Sequence, residues 1–177
     1  MIGALKRLRQ RLRREDGTAS MEFVLVVPLF ITIFMASFES GLMMVRSILL
    51  DQSVDMTMRE LRLGHYPMVD QDTLRTEICS RTIIFANCED NMLIELERID
   101  TVAWNIPGTP TQCINRDEVI EPVVALQIGQ QNDVMLVRIC VIEDAIFPTT
   151  GIGLGLSTDS QGGYALISRS AFVIEPT

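Results

Sequence analysis

The chain has 177 residues, of which 47% are hydrophobic, and a net charge of −8. This length allows one domain plus an anchor and excludes two full-sized domains. The charge is unevenly distributed, because residues 1–17 carry six basic and two acidic side chains, a net charge of +4, and the rest of the chain carries −12. A basic run by itself is compatible with nucleic-acid binding. The acidic main part of the chain disfavours that class, so we expect no nucleic-acid partner.

Residues 1–17 form a basic leader that we do not count as part of the fold. Basic residues that flank an apolar span stay in the cytoplasm, so we expect the leader inside and the acidic part outside. An ordinary secretory signal is the nearest alternative. It is disfavoured because residues 35–39 offer no small-x-small cleavage site, and because the apolar stretch is longer than a usual signal core.

The leader is followed by a long apolar segment. Residues 23–45 contain one charged side chain, Glu39, and about 20 apolar residues are enough to cross a bilayer. Residues 46–63 contain no proline or glycine, and their apolar residues recur at helical spacing. Gly64 and Pro67 then form a plausible stop. The sequence therefore predicts one helix over 18–64, with a transmembrane part at about 22–45 and an amphipathic second half.

Glu22 stands at the mouth of this span. A carboxylate in that position is costly unless it has a partner, so it suggests a function. Cleavage after Gly17 would create an α-ammonium on Thr18, which could be that partner. The alternative is a carboxylate that favours the positive end of the helix dipole and stays among the lipid headgroups.

Two further positions in the helix carry predictions. Pro28 removes a backbone donor and frees the carbonyl of Val24, so a kink is expected there, with a tolerated proline of no function as the alternative. Glu39 lies 17 residues beyond Glu22, or about 25 Å along a helix. That distance places it near the far membrane interface. The simplest interpretation is a solvated boundary residue, and the alternative is a salt bridge or hydrogen bond to a neighbouring subunit.

Residues 65–177 predict a small α+β head. Asp70 and Asp72 can cap a helix that carries Leu74, Ile78 and Phe85 and ends near Asn87. Four strands are predicted, at 92–104, 119–128, 134–142 and 165–174. The third is apolar on both faces and should be central, whereas Pro122 makes the second irregular. We expect an antiparallel sheet of three or four strands with one or two short helices, joined to the long helix like a lollipop.

Four cysteines lie in the head, at Cys79, Cys88, Cys113 and Cys140. In an oxidising compartment an even number predicts disulfides, and four cysteines allow three pairings. We prefer Cys79–Cys88, which closes a short loop, with Cys113–Cys140. Zinc is disfavoured, because there is no CxxC pair and His65 is the only histidine. We expect no metal and no other cofactor.

The sequence offers little material for catalysis. No serine or cysteine has the motif of a nucleophile, and the acidic residues show no spacing typical of an acid–base pair. The glycine-rich segment 151–157 lacks the spacing of a phosphate loop. It predicts a connection between the last two strands, with apolar residues that could form a contact surface. We therefore expect a protein that is not an enzyme.

The N-terminal residues resemble a known family. The resemblance rests on the basic stretch that ends at Gly17, the segment 18–30 with its glutamate and proline, and Phe38-Glu39-Ser40-Gly41. Together they are similar to the signature of TadE/TadF-like minor pilins of bacterial tight-adherence (Tad) pili. Residues 169–176 look like the ending of many members. The specific match covers about residues 9–45, and the four cysteines are not expected in every member.

The resemblance implies a prepilin that an aspartyl prepilin peptidase cleaves between Gly17 and Thr18. It implies a minor or pseudopilin-like subunit in the bacterial inner membrane, with its N terminus cytoplasmic and its head periplasmic. The implied partners are the peptidase, other pilins, the inner-membrane assembly platform and the lipid bilayer. The E-type and the F-type remain open. The rival hypothesis is a single-pass anchored periplasmic binding or scaffolding protein whose leader is retained.

Overall fold

The computed structural model describes residues 18–66, 69–104, 106, 108–116, 124, 126–148 and 161–175. Two helices and three strands follow one another in these residues: α1 Thr18–Arg62, α2 Gln71–Ser80, β1 Met92–Ile99, β2 Val134–Asp144 and β3 Gly163–Val173. A long apolar helix thus leads into a small head with an antiparallel sheet and a short helix. The predicted α+β class is confirmed.

Helix α1 has 45 residues, which corresponds to about 68 Å at about 1.5 Å per residue. It ends where the sequence predicts. Gly64 adopts a positive φ of 71°, a conformation that glycine reaches without the steric penalty of a Cβ atom. The amide of Gly64 donates to the carbonyl of Leu61, and the amide of His65 donates to that of Glu60, both at 3.1 Å. These bonds satisfy carbonyls that the end of the helix would otherwise leave open.

The described strands form one antiparallel sheet in the order β1-β2-β3. β2 is central, as its apolar faces predict. β1 ends at Ile99 rather than near residue 104, because the carboxylate of Asp100 accepts a hydrogen bond from the amide of Val102 at 2.8 Å and starts a turn. Of the predicted strand 119–128, most residues lie outside the described part, and Leu126 forms an isolated parallel bridge with Leu96.

The core lies between one face of this sheet and the two helices. Helix α1 packs on β3 and α2, and α2 packs on β1. The α1 residues buried in this core are Leu50, Val54 and Met58, each at most 3% exposed. The buried residues from the rest of the head include Leu74, Ile78, Met92, Ile94, Leu96, Met135, Val137, Ile139, Val141, Tyr164 and Leu166. The second half of α1 is therefore part of the head's core.

Helix α2 is shorter than the sequence predicts. Asp70 caps it as expected, because its Oδ1 accepts the amide of Thr73 at 2.7 Å. The hydrogen bond from the Thr73 side chain, followed by that from the Thr73 amide, lowers the pKa of Asp70. The helix ends at Ser80 rather than near residue 87. The Cys79–Cys88 disulfide, with 5.8 Å between its Cα atoms, turns the chain back at that point. Phe85 is still buried, but from a turn.

The other face of the sheet is covered by residues 109–116. A second disulfide, Cys113–Cys140, joins this cover to the central strand. Arg138 of β2 donates to the carbonyl of Thr109 at 2.9 Å and pairs with Glu95 of β1 at 2.8 Å, both side chains being nearly buried. The structure thus has the two cysteine pairs that the loop lengths favour, and each pair fixes an irregular segment to a regular element.

Candidate assembly helix and its junction with the head

The first half of α1, residues 19–38, is apolar and uncovered. Its large side chains are exposed on all sides, with Met21, Phe23, Leu25 and Phe34 each more than 65% exposed. The helix contains a stretch that is long and apolar enough to cross a membrane, and none of that stretch is buried within the chain. Apolar side chains exposed on every face of a helix need a lipid or protein environment. We call residues 19–38 the bare half of α1.

Glu22 lies in the bare half and is exposed there. It is the only charged residue between Thr18 and Phe38. Thr18 is the first residue of α1, so Glu22 stands about one turn into the helix. Gly17, the other side of the predicted cleavage bond, lies outside the described residues. The pairing of Glu22 with a Thr18 ammonium stays a prediction.

Helix α1 is continuous through Pro28, and the kink predicted there stays a prediction. Two other polar side chains of the bare half bond back to their own helix. The hydroxyl of Thr32 donates to the carbonyl of Leu29, and that of Ser37 donates to the carbonyl of Ile33, both at 2.8 Å. Such bonds satisfy hydroxyls without water, so these residues are compatible with an apolar environment.

Glu39 begins the second half of α1, residues 39–62, which we call the seated half because the head covers one of its faces. Glu39 is 1% exposed. Its Oε2 accepts the amide of Ile146 at 3.1 Å and that of Phe147 at 3.0 Å, both from the loop that follows β2. The interpretation as a solvated boundary residue is therefore wrong, because two backbone donors of the head replace water. The role of Glu39 in subunit assembly stays a prediction, and it would require this junction to open.

Arg46 lies two turns beyond Glu39 and is also buried, at 8% exposure. Its guanidinium donates to the hydroxyl of Tyr164 at 2.7 Å and to the carbonyl of Asp144 at 3.1 Å, and it lies 3.1 Å from the carboxylate of Glu143. Burial raises the pKa of Glu143, and the charge of Arg46 opposes that rise. Burial likewise raises the pKa of Tyr164. These residues form a buried polar cluster at the base of the head.

Sequence reasoning missed this cluster. A signal was present, because Arg46 ends the apolar stretch and stands seven residues after Glu39, on the same face of a helix. Two charges on one face at the end of a span indicate a shared environment. The sequence does not show that this environment is the head.

Contacts between the seated half and the rest of the chain continue to the end of α1, and we call this line of polar and apolar contacts the seam. Asp51 accepts a hydrogen bond from Ser168 of β3 at 2.5 Å. Near the end, Glu60 accepts bonds from Tyr66 at 2.8 Å and from Arg81 at 2.7 Å. The hydrogen bond from Tyr66 is the largest cause that lowers the pKa of Glu60. Arg62 then pairs with Glu175, beyond β3.

Comparison with known proteins finds a family match on the N-terminal helix. A family model described as "TadE-like protein" matches residues 17–59, about a quarter of the chain. The N-terminal helix is TadE-like. The TadE-like match starts at the predicted cleavage glycine, includes Glu22, Pro28, Glu39 and Arg46, and reaches into the seated half. No curated protein and no solved structure matches the chain.

The resemblance inferred from the sequence is thereby confirmed. The TadE-like family is a structural component of Tad pili and not an enzyme family. The match supports a Tad pilus component that interacts with other pilus components, and the bare half indicates membrane anchoring. The head, beyond residue 59, lies outside the match. Among the described residues, no group of three or more His, Cys, Asp or Glu side chains could hold a metal ion.

Proposed function

We propose that this chain is a minor pilin or pseudopilin-like subunit of a bacterial Tad pilus, which acts in pilus assembly, initiation or tip formation for adhesion. The observation that carries the proposal is the position of the TadE-like match, which falls on a helix whose first half is bare, apolar and charged only at Glu22. Lipid would cover this half before assembly, and neighbouring helices would cover it in a filament. The head supports a minor role, because major subunits of this pilus class are much shorter.

The proposed mechanism has three steps. The basic leader stays in the cytoplasm and holds the chain in the inner membrane, so that the bare half, which overlaps the predicted transmembrane part at about 22–45, spans the membrane and the head lies in the periplasm. A prepilin peptidase cleaves between Gly17 and Thr18. Glu22 of one subunit then pairs with the Thr18 ammonium of a neighbour as the helices leave lipid. An unpaired carboxylate in hydrocarbon costs several kcal/mol, so the pairing favours one axial register between subunits.

The test is the mature N terminus. The full chain is produced in inner membranes with and without an active prepilin peptidase, and its intact mass is measured after extraction. We expect a loss of residues 1–17 that depends on the peptidase and on Gly17, so that Gly17→Val stays uncleaved. The rival hypothesis, an anchored periplasmic binding or scaffolding protein, expects Met1 to remain. A retained Met1 in the presence of active peptidase would refute the pilin proposal.

A further inference from the structure

The loop of residues 145–148, which follows β2, lies against α1 at the boundary between its two halves. The amides of Ile146 and Phe147 both donate to Glu39, the first residue of the seated half. The Phe147 ring makes a T-shaped contact with the ring of Phe38, the last residue of the bare half, with 6.2 Å between centroids and 69° between planes. These contacts fix the position of the loop along the axis of α1, at the point where the bare half ends.

An apolar side chain of this loop is open to the outside. Ile146 is 50% exposed, and Phe38, which packs against Phe147, is 52% exposed, whereas Phe147 is partly buried. Charged side chains lie directly before the loop, where Asp144 ends β2 and pairs with Arg116 at 2.8 Å. The surface at the base of the head thus changes from charged at Asp144 to apolar at Ile146, in the direction of the bare half.

The length of the bare half sets where this base would lie. Residues 19–38 span about 30 Å at about 1.5 Å per residue, which is about the thickness of the hydrocarbon core of a bilayer. If the bare half crosses a membrane, Phe38 reaches the outer boundary of the hydrocarbon. The loop is tied to the next residue, so Ile146 and Phe147 lie at the same boundary.

We propose that residues 145–148 are a membrane-contact loop, in which Ile146 and Phe147 enter the outer interface of the same bilayer that the bare half spans. Glu39 is the positioning residue of this loop. Its two hydrogen bonds from backbone amides hold the loop at that height. They also replace the water that a carboxylate near hydrocarbon would lose. This inference rests on the membrane anchoring in the proposed function and does not depend on leader cleavage.

The experiment measures the depth of single tryptophans in the full-length protein. Trp104, the only tryptophan, is replaced by phenylalanine, and Ile146→Trp is introduced as the loop reporter. Phe34→Trp reports the bare half. Ile128→Trp reports the opposite end of the head, because Ile128 is 63% exposed and lies near Leu61 and Gly64 at the end of α1. Each variant is reconstituted in phosphatidylcholine vesicles with or without bromine atoms on the acyl chains.

We expect the brominated lipid to quench Phe34→Trp strongly, to quench Ile146→Trp to an intermediate degree, and to leave Ile128→Trp unchanged. Adding Glu39→Ala should reduce quenching of the loop reporter and leave both other reporters unchanged. Glu39→Gln should preserve the quenching of the loop reporter, since the side-chain oxygen of glutamine still accepts hydrogen bonds. A purely structural role of Glu39 would not move the loop reporter alone.

Two outcomes would overturn the inference, and only the second would also contradict the membrane anchoring in the proposed function. If Phe34→Trp is quenched and Ile146→Trp is not, the loop does not contact lipid, although the helix is anchored. This includes a loop reporter with blue-shifted emission, which would show burial against protein. If neither reporter is quenched, the anchoring in the proposed function fails as well.

Discussion

The two halves of α1 differ in what covers them, although one uninterrupted helix forms both. In the bare half the side chains are exposed on every face, and in the seated half Leu50, Val54 and Met58 are buried. Each half begins near a carboxylate. The head satisfies Glu39 with its own backbone amides, whereas Glu22 is exposed. A charge whose partner is supplied within the chain stabilises the fold, and Glu22, which is exposed on the described helix, is the charge that we propose for assembly.

The largest expected effect separates these two carboxylates. Glu22→Ala should abolish incorporation of the protein into pili, because the subunit loses the group that pairs with the Thr18 ammonium of a neighbour. Cleavage of the leader, membrane insertion and stability of the head should be unchanged, since Glu22 lies far from the seam. The measurement is the amount of the protein in sheared pili from cells that lack the wild-type copy, compared with the amount in membranes.

Glu39→Ala is the comparison for the stability of the head. It should lower the free energy of unfolding of the head by about 1–3 kcal/mol, because two partly buried amide donors lose their acceptor. Denaturant unfolding of the detergent-solubilised chain, followed by Trp104 fluorescence, gives this quantity. Normal piliation by Glu22→Ala would contradict the assignment of the bare half to assembly. An equal loss of head stability in both variants would contradict the division between the halves.

Arg46→Met should cause the largest loss of stability in the seated half. It leaves the buried carboxylate of Glu143 without its partner, and removing one member of a buried pair costs about 3–5 kcal/mol. The same unfolding measurement applies. Arg62→Met is the control, because Arg62 and Glu175 are both more than 40% exposed and an exposed pair contributes about 0–1 kcal/mol. Similar losses in the two variants would show that the buried polar cluster at the base of the head contributes no more to stability than an exposed ion pair.

The Cys113–Cys140 disulfide should stabilise the head without affecting the bare half. Replacing both cysteines by alanine should lower the free energy of unfolding by about 2–4 kcal/mol, because the open chain regains conformational entropy. Replacing Cys79 and Cys88 should cost about 1 kcal/mol less, because their sequence separation is 9 rather than 27. Both are measured by denaturant unfolding under oxidising conditions. A larger loss from the shorter loop would contradict this order.

The bare half could be predicted from the sequence because its signals are local. Composition predicts the span, and Gly64 predicts the end of α1 through its backbone freedom. The central position of β2 follows from its two apolar faces. The face of α1 that the head covers was harder to predict, because Glu39 and its amide donors are separated by 107 and 108 residues in the sequence. Those donors are backbone groups, so no residue type marks them. The end of α2 was misjudged because Phe85 continues the helical spacing, while the disulfide ends the helix sooner.

The smallest expected effect is a pH dependence at the end of the seated half. Burial, followed by the hydrogen bond to Glu60, raises the pKa of Tyr66 from 10.0 to about 12. Its native pKa is above the unfolded value, so its contribution to stability is fully present below pH 10 and is lost as pH rises towards about 12. Ultraviolet titration of tyrosinate in the folded protein should therefore show no ionisation at the ordinary value, because burial also raises the pKa of Tyr164, the only other tyrosine.

Two variants assign this titration. Tyr66→Phe should remove the ionisation near pH 12 and flatten the loss of stability between pH 10 and 12, since no phenolate then forms beside Glu60. Tyr164→Phe, which alters the base of the head instead, should keep that ionisation. A tyrosine that ionises near pH 10 in folded Tyr164→Phe would mean that Tyr66 is open to solvent. The seam would then stop short of the end of α1, and the seated half would be shorter than its hydrogen bonds indicate.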